Sequence, residues 1–377
     1  MKNVVFIIES LHLGGAETSL VTFLNNIDHT KYNVDLILFS KDNFFISYLP
    51  KEVNVIYIDP PKLSLIERIK YKVLKKLHAN KFHTAQTFWP LVEPKFEVFE
   101  KEYDIAHAYN QGFTTYYASK FIKATKKFAW INIDYQMVKY NIQFDYPYYS
   151  KYDKVVVISN EVERGFLEEV SKVNGKIDTV IIKLFADDII LDKRADEKMS
   201  IEFNPNKINI VTTCRLAKQK GLHLAIESCK KLIDKGHPVH WYVVGEGTER
   251  AFLEGLISQN GIQDHFTLVG KTINPFPFMK ACDIYVQTSL FEGWGLTLIE
   301  AVLLKKLVVT TNFPTAYDIV ENNKTGLICN MNSDEIVANI EKYINDKDFT
   351  KMVEANLLER KNIDKQEALS MLEEISN

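Results

Sequence analysis

Short runs of β-branched and aromatic residues alternate along this chain with segments of helical spacing, and the alternation begins twice. The first run is VVFIIE at 4–9. Residues 16–27 follow with helical spacing through Leu20, Phe23, Leu24 and Ile27, and further runs lie at 34–39, 53–58, 104–109, 127–133 and 154–159. Strand-forming runs separated by helical patterns predict a parallel sheet with helices on both faces. The stretch 191–207 is polar and closes with Asn204-Pro205-Asn206, the best linker in the chain. INIVTTC (208–214) then opens a second series, with strands at 239–245, 266–270, 283–288 and 306–311, helices at 219–235, 248–259 and 296–305, and further helices from 333 onward. The fold class is therefore α/β, with two tandem doubly wound domains facing across a cleft. We expect a first domain at 1–195, a linker at 196–207, a second domain at 208–355, and a helix at 356–377 free to pack back toward the first domain. Ligands of such domains bind outside the carboxyl ends of the strands.

Composition narrows the class. At 377 residues the chain is long enough for two cores, and 46% hydrophobic with 25% charged residues marks it as globular. A net charge of −3 gives no overall bias toward nucleic acid, and none is expected as a partner. The N-terminal MKNVVFIIESLHLGG resembles a leader only superficially. Glu9 interrupts its short apolar stretch, and a helical pattern follows at once, so it reads as a first strand. No apolar run reaches the roughly 18 residues needed to span a bilayer. Cys214, Cys229, Cys282 and Cys329 form no close pair and have no histidine cluster beside them, which fits free thiols of a cytoplasmic protein and no metal site.

Three loop constellations could carry chemistry. SLFEGWGLTLIEA (289–301) leaves a strand and opens a helix near Gly295, with Glu292 before the helix and Glu300 within it. Unpaired N–H groups and the positive dipole end of a helix start receive phosphate, and Gly293 and Gly295 let backbone approach a ligand closely. A plain helix start with two solvated glutamates is the competing reading. TCRLAKQKGLHLAI (213–226) likewise follows a strand. Arg215 and Lys220 there, beside Gly221, would clamp a diphosphate and stabilise charge developing on it, or else decorate a basic surface loop. In GEGTER (245–250), Gly245 and Gly247 permit a tight turn, which is their commoner use. Gly14 and Gly15 of LHLGGAE (11–17) fall between strand and helix without forming the dinucleotide fingerprint G-x-G-x-x-G.

Taken together, Arg215 with Lys220-Gly221, VVGEGTER, and FEGWGLTLIEA with its glutamates eight apart resemble the family-four retaining glycosyltransferases of the GT-B fold (glycosyl transferases group 1). KTINPFPFMKACDIYVQTS (271–289) and TNFPTAYDIVENNKTGLI (311–328) fit the same pattern. The likeness is clear from about 208 to 330 and weaker in the first half, where GGAE and DIAHAY match best. It implies two Rossmann-like domains, an acceptor-side one and a nucleotide-sugar-binding one. The implied activity is metal-independent transfer of a hexose or N-acetylhexosamine, with retention, from a UDP- or GDP-sugar to a glycan or lipid-linked acceptor in polysaccharide biosynthesis. No cofactor is required beyond the nucleotide-sugar donor, which is a substrate. The resemblance places Glu292 on the donor sugar, Glu300 on the donor ribose, and Arg215 and Lys220 on the diphosphate. Gly245, Gly247, Gly293, Trp294, Gly295, Leu296 and Thr297 are assigned to donor binding with Gly14 and Gly15, Gly15 lying under the donor from the opposite domain. Many members carry histidine after the strand matching 127–133. This chain has Asn132 there, and Asp134 becomes the nearest candidate for contacting sugar or acceptor; a polar surface residue is the bland alternative. His107 is a second candidate, or a core histidine.

Residues 62–82 hold seven Lys or Arg and one Glu, with Leu65, Ile66, Ile69, Val73, Leu74 and Leu77 at helical spacing. This composition suits a helix lying on an anionic membrane, peripheral at the inner face of the cell membrane, and equally a surface helix with its apolar side on the core. Three other functions remain in view. They are a nucleotide-sugar epimerase of the same fold, a non-catalytic donor-binding partner subunit, and a nicotinamide-dependent oxidoreductase, the last disfavoured by the missing fingerprint.

Overall fold

In the computed structural model, which describes residues 1–12, 14–79, 81–138, 140–360 and 362–376, the apolar runs become strands of two parallel sheets. The chain divides into two units, Met1–Phe185 with Asp364–Asn377, and Ala186–Ile363.

The first unit follows the order β1 (Lys2–Ile8), α1 (Gly15–Asn26), β2 (Tyr32–Leu38), β3 (Asn54–Tyr57), α2 (Leu65–His78), α3 (Thr84–Val92), β4 (Glu102–Ala108), α4 (Phe113–Phe121), β5 (Lys123–Ile131), α5 (Ile142–Tyr149), β6 (Lys154–Val157), α6 (Asn160–Ser171) and β7 (Thr179–Ile181). Its sheet runs β3-β2-β1-β4-β5-β6-β7. Val4 to Ile8 are buried without interruption, as are Phe128 to Ile131 and Val155 to Val157, because helices cover both faces. His107 on β4 is a core residue. It stacks between Phe6 and Phe128, its Nδ1 accepts from Trp130 Nε1 at 3.2 Å, and burial pushes its pKa down to about 3, so the ring is neutral. Below the carboxyl end of β5, the buried Asp145 accepts from Gln86 Nε2 at 2.7 Å, from the Tyr116 hydroxyl at 2.6 Å and from the Tyr135 hydroxyl, tying α3, α4 and α5 together.

The second unit contains α7 (Asp188–Ala195), β8 (Ile208–Thr213), α8 (Leu222–Asp234), β9 (Val239–Val244), α9 (Arg250–Gln259), β10 (Phe266–Gly270), α10 (Phe276–Ala281), β11 (Ile284–Gln287), α11 (Leu296–Leu303), β12 (Leu307–Thr311), α12 (Ala316–Ile319), β13 (Leu327–Cys329), α13 (Ser333–Asn345) and α14 (Lys347–Glu359). Its sheet runs β10-β9-β8-β11-β12-β13. Strands β7 and β13 have no counterpart among the expected elements, since three residues carry too little pattern to be seen.

The boundaries differ from those expected. Residues 186–195, assigned to the first domain, belong to the second unit, where Arg194 donates to the Ile273 carbonyl at 3.0 Å and lies 4.8 Å over the Phe276 ring. The 196–207 stretch is not a free linker. Lys280 pairs with Asp196 at 2.6 Å, and Phe203 stacks on Tyr242 with centroids 4.4 Å apart. At the other end, residues 356–363 stay with the second unit, whereas α15 (Ile363–Ser376) packs in the first from Asp364 onward. It buries Ala368, Leu372 and Ile375, and Lys2 donates to the Ser376 carbonyl at 2.6 Å.

Candidate functional site

Chain order reverses in the second sheet at β8. From β8 the connections step outward to β9 and β10, and the chain then returns to β11 on the opposite side. Such a switch point splays the loops after the two central strands and leaves room between them for a ligand. Those loops are 214–221 and 288–295, which hold Arg215, Lys220 and Glu292.

Backbone contacts lock the two loops and the 245–247 turn together. Thr288 Oγ1 donates to the Lys220 carbonyl at 2.9 Å, and the Leu290 amide to the Gln219 carbonyl at 2.7 Å. Gly221 sits at φ +58, where a Cβ would drive into the Thr288 carbonyl oxygen. At Gly245 and Gly247 a Cβ would strike the carbonyls of Cys214 and Leu216, and Leu216 and Glu246 are joined by a 2.9 Å backbone bond. Close packing of the turn thus accounts for glycine at both positions.

The Glu292 carboxylate is the centre of a polar network. Its Oε1 accepts from Lys220 Nζ at 2.6 Å, from Ser289 Oγ at 2.6 Å and from Gln287 Nε2 at 2.9 Å, while Oε2 accepts from Lys220 at 2.8 Å. Thr297 Oγ1 donates to Gln287 Oε1 at 3.1 Å and so orients the amide. The Lys220 and Glu292 side chains are only 15% and 10% exposed, so the pair is poorly screened by solvent. Arg215 is exposed, and its side chain has no hydrogen bond or ion pair to other described residues. Burial pushes the Cys214 thiol up to about 12, a shift that the charges of Lys220 and Arg215 oppose and that of Glu292 reinforces.

Helix α11 starts at Leu296 with Gly295 as its N-cap at φ +93, and no side chain caps it. Trp294 is buried and anchors the loop. Glu300, in the second turn, faces inward and is 7% exposed. Desolvation raises its pKa to about 8, opposed by the charge of Arg194. Its charge acts in turn on the buried Tyr285 of β11, the strand that leads into the 288–295 loop.

The remaining candidates lie on the first unit. Gly14 caps α1 in extended conformation and Gly15 is the first residue of that helix. Asp134 Oδ1 accepts from the Gln136 amide at 2.9 Å in a local turn. Asn132, where the resemblance leads one to expect histidine, holds the backbone: its amide donates to the Tyr109 carbonyl at 2.7 Å, and its Oδ1 is buried without a partner among the described residues. Gln287, Ser289 and Arg194 are absent from the sequence-based site. A run of polar residues at the end of an apolar strand, Gln287 to Ser289, was the available signal for the first two. No such signal marked Arg194. Among the described residues, no three His, Cys, Asp or Glu side chains gather as a metal-ligand set, and no helix is long and apolar enough to cross a membrane.

Residues 193–360 match the family model of glycosyl transferases group 1, a span that falls within the second unit. The capsular polysaccharide biosynthesis glycosyltransferase CapM of Staphylococcus aureus is 31% identical over 170 residues, 44% of this chain and 44% of the relative. The poly(ribitol-phosphate) alpha-N-acetylglucosaminyltransferase of the same species is 29% identical over 154 residues, 39% of this chain and 31% of the relative. The chain thus spans less than half the length of these curated relatives. Similar solved structures extend over both units. Anabaena Alr3699/HepE in complex with UDP-glucose covers 100% of both chains at 18% identity and a TM-score of 0.69. Sucrose-phosphate synthase of Thermosynechococcus elongatus covers 100% of this chain and 98% of its own at 15% and 0.71. The chain has the GT-B fold, and the likeness to the glycosyl transferases group 1 is carried by its residues 193–360.

Proposed function

We propose that this protein transfers a hexose or N-acetylhexosamine from a nucleotide-diphosphate sugar to a glycan or lipid-linked acceptor in polysaccharide biosynthesis, with retention at the anomeric carbon and without a metal ion. The pairing of Lys220 with Glu292 at the switch point carries this assignment, because it sets a diphosphate-binding cation against a sugar-binding carboxylate. A relative of capsular polysaccharide biosynthesis, a poly(ribitol-phosphate) alpha-N-acetylglucosaminyltransferase, and a structural neighbour in complex with UDP-glucose support it. Lys220 and Arg215 take the diphosphate, the first-turn amides of α11 add to that field, and Glu292, steadied by Gln287 and Ser289, accepts from sugar hydroxyls. Glu300 takes the ribose. As the bond between the anomeric carbon and the phosphate oxygen breaks, negative charge grows on the leaving diphosphate, where the two cations stabilise it. The acceptor oxygen bonds to the same face of the carbon, and its proton passes to the departing phosphate.

Thermal-shift titration with UDP- and GDP-sugars, followed by product analysis with glycan acceptors, tests this. One nucleotide series should raise the melting temperature. Turnover of Arg215→Ala unchanged at saturating donor would overturn the role given to Arg215. The structural use of Asn132 favours one second reading, a non-catalytic donor-binding subunit. Donor binding with neither hydrolysis nor transfer across a broad acceptor panel would decide for it. Isomerisation of donor incubated alone would instead identify an epimerase.

A further inference from the structure

Helix α2 docks on the first unit by the face opposite to its apolar stripe. Its inward residues are Glu67, Tyr71, Leu74 and His78. Glu67 pairs with Lys95 at 2.6 Å, Tyr71 meets Phe88 edge-on at 5.5 Å, and His78 meets Phe82 in a tilted ring contact at 4.8 Å. Leu65, Ile66, Ile69, Val73 and Leu77 are left outward, between 52% and 78% exposed, and no residue of the helix is buried. At about 100° per residue these five share an arc of about 120°. Lys72 lies at one edge of that arc with Lys76 just inside it, and Lys70 at the other edge, with Arg68 and Lys75 beyond the first; all five cations are exposed. A capping box formed by Ser64 and Glu67 holds the start of the helix, so the stripe belongs to a formed element and not a frayed end.

A surface helix normally turns its apolar stripe to the core. Here the stripe is presented to solvent with cations along both edges. We infer that α2 is a membrane-docking surface, with the five apolar side chains entering the acyl boundary of an anionic bilayer and the lysines on its headgroups. Charge complementarity selects this occupant: a second copy of the chain would bring two cationic rims together, whereas anionic lipid neutralises them.

Flotation of the purified full-length protein tests the inference, using neutral phosphatidylcholine vesicles and vesicles containing phosphatidylglycerol. Wild type should float with the anionic vesicles and not with the neutral ones, and salt should release it. Neutralising Lys70, Lys72 and Lys76 together (K70Q/K72Q/K76Q) should cut partitioning on the order of a hundredfold, at about fivefold per charge. I69D/V73D should abolish insertion while leaving the first unit folded, as checked by an unchanged melting temperature, since both residues are exposed. The inference is overturned by equal partitioning to both vesicle types, by wild-type binding in either variant, or by a lipid-independent dimer that I69D/V73D dissolves, which would make the stripe a self-association face. Donor binding in the second unit is a separate readout and should be the same in all these proteins.

Discussion

Glu300 offers the sharpest test of how burial and function oppose each other in this fold. Its carboxyl is 7% exposed, accepts no hydrogen bond from another described residue, and has its pKa raised from 4.5 to about 8, first by desolvation, with Arg194 acting in the opposite sense. A folded-state value above the unfolded one stabilises the fold fully below pH 4.5. That contribution falls as the unfolded chain ionises, and is gone once pH passes the folded value near 8. At roughly 1.4 kcal/mol per pH unit, the interval sets a ceiling of about 5 kcal/mol on the stability lost between pH 4.5 and 8. Glu300→Gln keeps the shape and removes the titration. It should melt with wild type near pH 4.5, and gain on it progressively to pH 8. Scanning calorimetry of both proteins at intervals from pH 4.5 to 9 isolates Glu300, because other titrating groups cancel in the difference. The same variant should bind nucleotide sugar more weakly, having lost the carboxylate assigned to the ribose. A stability difference independent of pH would refute the electrostatic reasoning, and unchanged donor affinity would refute the ribose assignment.

Other substitutions probe the rest of the framework. Lys220→Ala should lower kcat by about 10²–10³, the usual cost of removing one charge-stabilising group, and steady-state rates at saturating donor check it. Gly221→Ala places a Cβ against the Thr288 carbonyl at φ +58 and should cost about 2–4 kcal/mol of stability, read by thermal unfolding of the second unit. Asp145→Ala strands the Tyr116 and Tyr135 hydroxyls and the Gln86 amide in the core of the first unit, and should destabilise it by about 3–5 kcal/mol in denaturant titration.

The strands were legible because parallel strands covered on both faces are apolar throughout, as at Val4–Ile8 and Val155–Val157. The three-residue strands β7 and β13 were not, since their place comes from pairing with β6 and β12. In the site, the spacing of Arg215, Lys220, Glu292 and Glu300 around two strand ends was readable, but the bonds from Gln287 and Ser289 to Glu292 were not. Those bonds depend on rotamers chosen in the packed unit.

Local pattern by itself determined the α/β class, the two series of strands and the loops at their carboxyl ends, because hydrophobic period and glycine placement act over a few residues. Tertiary structure alone decided that residues 186–207 fold with the second unit, that α15 returns to the first, and that α2 turns Tyr71 and Leu74 inward and its larger apolar stripe outward. Each of those outcomes rests on which distant surface a segment buries: Arg194 on Phe276, Leu372 in the first unit, Tyr71 on Phe88. Burial free energy depends on area removed from water and is indifferent to separation along the chain.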